Sequence, residues 1–208
     1  MLAALRPGIV ALLIAGCVVL PCLAPERAVA QGADWSGPYL GAGVIANRAT
    51  ATVRGSTGAL PRAQGTWASL ILGHGWQQGH LVTGVELALS RGNLNGQGPC
   101  GQPAQPCALS DNYYGAVRGR VGVAQGRGHG FVTLGVAHDR WEHRIGARRQ
   151  IVRDRGLVAG VGAEYALRPR LSVRVDAEHM RMRPARRLDG TPARFRMNTL
   201  RVSVVGRH

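Results

Sequence analysis

Residues 156–182 read "GLVAGVGAEYALRPRLSVRVDAEHMRM". From Leu171 the run alternates, with Leu171, Val173 and Val175 on one side and Ser172, Arg174, Asp176 and Glu178 on the other. A period of two marks a β-strand with unlike faces. A soluble antiparallel sheet would leave its polar face in water. Here the alternation recurs along the chain, and the polar face carries charges of both signs. The place where those charges reside decides the fold.

Working outward, eight strand-like runs emerge, at about 38–47, 65–76, 80–90, 112–124, 130–141, 151–167, 170–181 and 195–206. Most reach the roughly nine to eleven residues that a membrane-crossing strand needs. The connections alternate. "QQG", "QGRGHG" and "RP" are short, whereas 48–64, 91–111, 142–150 and 182–194 are long. Tight turns at one end and longer loops at the other are the pattern of a transmembrane barrel, with turns in the periplasm and loops outside.

The polar faces of these runs carry Glu86, Glu164, Asp176 and Glu178, and also Arg118, Arg120, Arg174 and Arg201. The interior of an eight-stranded barrel is just filled by side chains. Charges there must pair, and the guanidinium fork suits carboxylates. Neighbouring runs predict that Arg118 and Arg120 meet Glu86, and that Arg174 meets Glu164. The fold class expected is all-β: an eight-stranded antiparallel up-and-down transmembrane barrel with apolar faces toward lipid. Trp67, Tyr113 and Trp141 fall near the long connections, and Trp76, Tyr165 and Phe131 near the short turns, as interfacial girdles would.

The N-terminus is expected to be removed. Arg6, the apolar "GIVALLIAGCVVL" and the small-x-small "AVA" at 28–30 form a signal peptide over 1–30, with the barrel domain over 31–208. "IAGC" at 14–17 offers the alternative of a lipidated Cys17. With the leader gone, Cys100 and Cys107 remain, in "GPCGQPAQPC", and read as a local disulfide. No other Cys or His lies near them, so no metal site is expected.

The chain is strongly basic, with 26 basic residues against 11 acidic and a net charge of +15; every basic residue is Arg. Export removes nucleic acid as a partner. The surplus concentrates in two long connections with their shoulders. Residues 139–155 hold six Arg against three acids, and 181–196 six against one. Arg144, Arg148, Arg149, Arg183, Arg186, Arg187 and Arg194 therefore form a candidate anion site for lipopolysaccharide phosphates, acidic glycans or a host surface.

"DWSGPYLGAGV" at 34–44, "GHGWQQGHLVTGVELALS" at 73–90, "YGAVRGRVGVAQGRGHGFVTLGVAH" at 114–138 and "GLVAGVGAEYALRPRLSVRVDAEHM" at 156–180 resemble, in order and spacing, the small opacity-type outer-membrane barrels of proteobacteria, the porin-family outer-membrane β-barrel domain. The resemblance implies an outer-membrane location in a Gram-negative bacterium, no cofactor, lipid and lipopolysaccharide as surroundings, and the barrel-assembly machinery as a partner during biogenesis. It also implies a role in envelope integrity or adhesion, with a small porin or gated channel as the alternative. Such barrels commonly end in Phe. Here "RVSVVGRH" departs, and Gly206-Arg207 is expected to interrupt the closing strand.

An enzyme is not expected. No His-x-Ser occurs, and His138-Asp139 and Glu178-His179 are adjacent residues, which a strand points to opposite faces.

Overall fold

The computed structural model describes residues 32–53, 62–100, 105–145, 148–183, 185–186 and 192–208. Within them, side chains are not described at 51–53, 99–100, 105–107, 109, 141, 143, 145, 148–150, 152–154, 185–186 and 192–194. The proposed signal peptide and Cys17 lie outside the described residues. Ala33–His208 form one compact unit.

The strands are β1 (Gly37–Val53), β2 (Ala63–Gln78), β3 (Leu81–Cys100), β4 (Gln105–Gln125), β5 (Gly128–Ile145), β6 (Arg148–Arg168), β7 (Leu171–Met182), β8 (Ala185–Arg186) and β9 (Pro192–Arg207). Each long strand pairs antiparallel with the next, and β1 pairs with β9 as well as with β2, so the sheet closes on itself. Eight long strands thus make an up-and-down barrel, and the two-residue β8 pairs only with β9. Among the described residues no helix is long and apolar enough to cross a membrane.

The short connections are two-residue turns at 79–80, 126–127 and 169–170. Gly79 and Gly126 take φ of 60° and 57°, which glycine adopts without steric cost. The expected six-residue turn at 125–130 is therefore too long. Both flanking strands run into it, and only Gly126 and Arg127 remain outside the ladder.

The expected long connections are shorter than the sequence suggested. β3 and β4 continue pairing out to Cys100 and Gln105, and β5 and β6 out to Ile145 and Arg148. The physical reason is that an apolar outward face is required only where the wall meets lipid. Above that height, water accepts polar side chains while the backbone ladder goes on satisfying its own groups.

The two faces change character at one height. Toward the short turns the outward positions are apolar, among them Leu40, Val44, Leu72, Val85, Val121, Leu134 (66% exposed), Val161, Val175 and Val202. The inward positions at that height carry the charged side chains, with Val82, Ala124 and Ala166 buried below them at the turn end. Toward the other end the phase is unchanged but the chemistry is reversed. Trp67, Leu94, Tyr114, Met180, Met182, Phe195 and Met197 point inward as an apolar core. Arg48, Arg91, Arg140, Arg155, Arg181 and Arg196 point outward and are exposed.

The girdle expectation needs correcting. Trp76, Tyr113 and Tyr165 are exposed on the outer wall, but Trp67 and Phe131 are buried inside. Parity decides this: each shares the phase of inward neighbours, Ser69 with Trp67 and Thr133 with Phe131. The Trp141 side chain lies outside the described ones. The C-terminus also differs from expectation. β9 pairs through Arg207 with Tyr39, and the His208 amide donates to the Pro38 carbonyl at 3.1 Å. Gly206 and Arg207 therefore close the seam between the first and last strands.

Candidate functional site: the charged lumen

The barrel's wall places alternate side chains of every strand inside. All eight charged residues assigned to the polar face lie there: Glu86, Arg118, Arg120, Glu164, Arg174, Asp176, Glu178 and Arg201 are each at most 4% exposed. Glu86 on β3 is the hub. Its carboxylate accepts from Arg118 at 2.8 Å and Arg120 at 3.2 Å, both on β4, and from the Tyr39 hydroxyl on β1 at 2.7 Å. It also binds Arg174, which reaches across the lumen from β7.

That last contact corrects the expected partner. Arg174 stands opposite Glu164 in the β6–β7 register. Its ion pairs, however, are with Glu86 and, through Nε at 2.6 Å, with Asp176. A cross-strand neighbour is only one option in a narrow barrel. The opposite wall is within reach of an extended guanidinium, and a fork can serve two carboxylates.

Glu164 is held instead by Arg120 at 3.3 Å, by Arg207 at 3.2 Å and by the Ser172 hydroxyl at 2.6 Å. Arg201 contacts Asp176 at 3.4 Å and Glu178 at 3.2 Å, and Glu178 also pairs with Arg118. Thus every one of the four acids binds at least one arginine, and the contacts link β1, β3, β4, β6, β7 and β9 into one layer.

The layer is fitted to its surroundings. Arg120 lies over the rings of Tyr39 and Phe131, and Arg174 over Phe131 at 4.4 Å. A Cβ at Gly73 would stand inside the Tyr39 ring, so glycine there makes room for the hydroxyl to reach Glu86.

Below the charges, toward the short turns, Trp35 is fully buried with Val82, Ala124 and Ala166. Its amide donates to Gln77 Oε1 at 2.8 Å, and its ring lies 5.1 Å from that of His129 and 4.9 Å beneath the Arg207 guanidinium. Above the charges is the apolar core already described.

Sequence reasoning placed Ser172 on the polar face but missed Tyr39, Arg207 and Trp35. Parity alone would have found Arg207, which is in phase with Arg201 and Ser203, and Tyr39, in phase with Gly41 and Gly43. Trp35 precedes the first strand, where parity has no meaning.

The candidate anion site is only partly described. Arg144 is exposed and lies 3.5 Å from Glu142, and Arg183 is exposed with its amide bonded to the Arg155 carbonyl. The side chains of Arg148, Arg149, Arg186 and Arg194, and Arg187 altogether, lie outside the described ones, as do the side chains of Cys100 and Cys107. His138 is exposed where Asp139 is buried, and His179 is exposed where Glu178 is buried, so neither adjacent pair shares a face.

No family model matches the chain, and no curated protein matches it. Among solved structures, Neisserial surface protein A aligns with a TM-score of 0.52 at 14% identity, covering 83% of this chain and 98% of that one. Ail, the attachment invasion locus protein of Yersinia pestis, aligns at 0.48 and 13%, covering 83% and 99%. The outer-membrane protease OmpT of Escherichia coli aligns at 0.49 and 7%, covering 88% and 99%. The likeness to Neisserial surface protein A, with the apolar outer belt, shows the fold: this is an eight-stranded β-barrel of the outer-membrane type.

Proposed function

We propose that this outer-membrane barrel is closed to ions and acts at the cell surface, in envelope integrity or in adhesion to anionic glycans or lipopolysaccharide. The observation that carries this reading is Glu86, bound from three strands around the lumen by Arg118, Arg120, Arg174 and Tyr39. A carboxylate so placed leaves little free path, because an eight-stranded interior is no wider than its side chains. The apolar core on one side and the buried Trp35 on the other support the same reading. The basic residues of the outer connections, Arg144, Arg148, Arg149, Arg183, Arg186, Arg187 and Arg194, are the proposed contacts for acidic groups at the surface.

A planar-bilayer recording tests closure. Wild type is expected to conduct poorly. Glu86→Ala removes the carboxylate shared by three guanidiniums, each of which keeps a second acid, Glu178, Glu164 or Asp176. The cost is expected to stay below the roughly 3–5 kcal/mol of a fully stranded buried charge, and the variant is expected to unfold at lower denaturant or to admit water and raise conductance. Large, steady wild-type conductance, with Glu86→Ala changing neither stability nor current, would replace this reading with that of a small porin.

A further inference from the structure

Directly above the apolar belt the outer wall carries a collar of arginines: Arg48, Arg91, Arg140, Arg155, Arg181 and Arg196, each exposed. On β3 and β6 the collar follows the last apolar outward residue directly. Arg91 comes two residues after Leu89, and Arg155 two before Leu157. Among the described residues, none of the six is ion-paired to a carboxylate. Six of the chain's 11 acids are buried inside the barrel instead. Among the described residues these exposed guanidiniums stand just above the apolar belt, the height at which a membrane-spanning barrel meets headgroups.

At one place the collar becomes a hollow. The ladder slips between Arg91 and Leu94 on β3, and between Asp111 and Tyr113 on β4. Such bulges bend the wall locally. Beside them lies a cavity of about 460 Å³ on the outer face, lined by Arg91, Ser110, Asn112, Tyr113, His138, Arg140, Glu142 and Ile151. Arg91 and Arg140 both pair with Tyr113, one from each side, on a single rung across three strands. Two strand spacings put their backbones about 10 Å apart, a span that two arginine side chains can close around one tetrahedral anion. Glu142, drawn toward Arg144 at 3.5 Å, bounds the hollow on its water side. The apolar belt lies on the other.

We propose that this hollow binds the phosphate group of a membrane-lipid headgroup, with the acyl chains running down the apolar belt below it. Arg91 and Arg140 clasp the phosphate oxygens, Tyr113 and His138 supply further polar contacts, and the collar holds neighbouring headgroups. The inference rests on the membrane reading of the barrel. It concerns the lipid-facing wall, separate from the loop arginines proposed as the surface contact.

The test uses the full mature chain refolded in nanodiscs of zwitterionic lipid. Diphosphorylated lipid A, its fully dephosphorylated form, and inorganic phosphate are added in turn, and retained lipid is counted by native mass spectrometry. The diphosphorylated form is expected to be retained preferentially. Arg91→Gln with Arg140→Gln is expected to reduce that retention by about tenfold or more for each guanidinium, the scale of a charged hydrogen bond. Arg170→Gln, at an exposed arginine in the turn at the opposite end of the barrel, is expected to leave it unchanged. Should the double variant fail to refold, Arg91→Lys and Arg140→Lys singly keep the charge and lose the fork, and are expected to show a smaller loss. Equal retention of both lipid forms, or a loss as large in Arg170→Gln as in the double variant, overturns the proposal. Full displacement by inorganic phosphate also overturns it, as that marks a site for free anions. A wild-type chain that never enters the bilayer sinks the membrane reading and this inference with it; one that inserts but ignores the phosphates sinks this inference alone.

Discussion

Asp111 illustrates how much one buried residue constrains the chain. It is 1% exposed on the part of β4 that stands above the apolar belt, and its Oδ1 accepts the Tyr113 amide at 3.2 Å. Burial first, and then the carboxylate of Asp139 beside it, raise its pKa well above the ordinary aspartate range. The folded state therefore holds a proton that the unfolded chain has released. The stabilisation is fully present below the unfolded value near pH 4 and declines as pH rises toward the elevated folded value. Unfolding by urea across this range is expected to show lower stability at alkaline than at mildly acidic pH, and Asp111→Asn is expected to flatten the slope. A wild-type slope of opposite sign, or one the substitution leaves intact, would show that other groups control it. Asp111 could not be singled out in the sequence. Its inward position depends on the bulge at 111–113, which breaks the parity that places every other lumen residue.

At the scale of elements, the strands are longer than alternation alone revealed, and this bears on the two cysteines. The boundary between loop and strand moves at the upper end: Cys100 ends β3 opposite Gln105, and Cys107 lies in β4 opposite Gly98. The two are diagonal in the ladder, about 7–8 Å apart by sheet geometry, at the outer edge of what a disulfide spans. Closing the bridge requires the last rungs to slip. The ring is short, and its contribution is about 2–3 kcal/mol at most. Replacing both cysteines with Ser is therefore expected to leave the barrel's heat-modifiable gel migration intact. Loss of the folded band in that double variant would mean that the upper hairpin organises the wall below it. The composition of 91–111, rich in Gly, Asn, Gln and Pro, has no apolar side and so reads as loop. The register continues because the hairpin's backbone groups pair with each other in water as readily as within the membrane.

At the scale of the whole molecule, the interior is built in three layers: Trp35 with small apolar residues near the short turns, the charge network, and the apolar core above. The layers make separable contributions. Trp35→Ala removes a fully buried indole and is expected to cost about 3–5 kcal/mol of stability, measured by denaturant unfolding in detergent. Its conductance is expected to stay at the wild-type level, because the charges still fill the lumen. If Trp35→Ala alone opens a steady current, the seal is the N-terminal segment and not the ion pairs. The same layering explains the chain's charge. Six of the 11 acids are buried inside, so the outer surface keeps the basic excess.

The sequence by itself determined the barrel, its strand order and the identity of the eight inward charges, because side-chain direction in a strand follows from a period of two and needs no knowledge of the partner. Leu171 to Glu178 sufficed to read one wall, and the alternation of short and long connections ordered the rest. Only the tertiary structure decided which charges meet. Arg174 binds Glu86 across the lumen and not Glu164 beside it, since closure brings the opposite wall within reach of an extended guanidinium. It alone placed Trp35 inside the lower end, turned Arg207 onto Glu164, and gathered Arg91 and Arg140 around one hollow. Those are contacts between residues far apart in the chain, and their distances are set by the curvature of a closed sheet and by two bulges, neither of which local periodicity encodes.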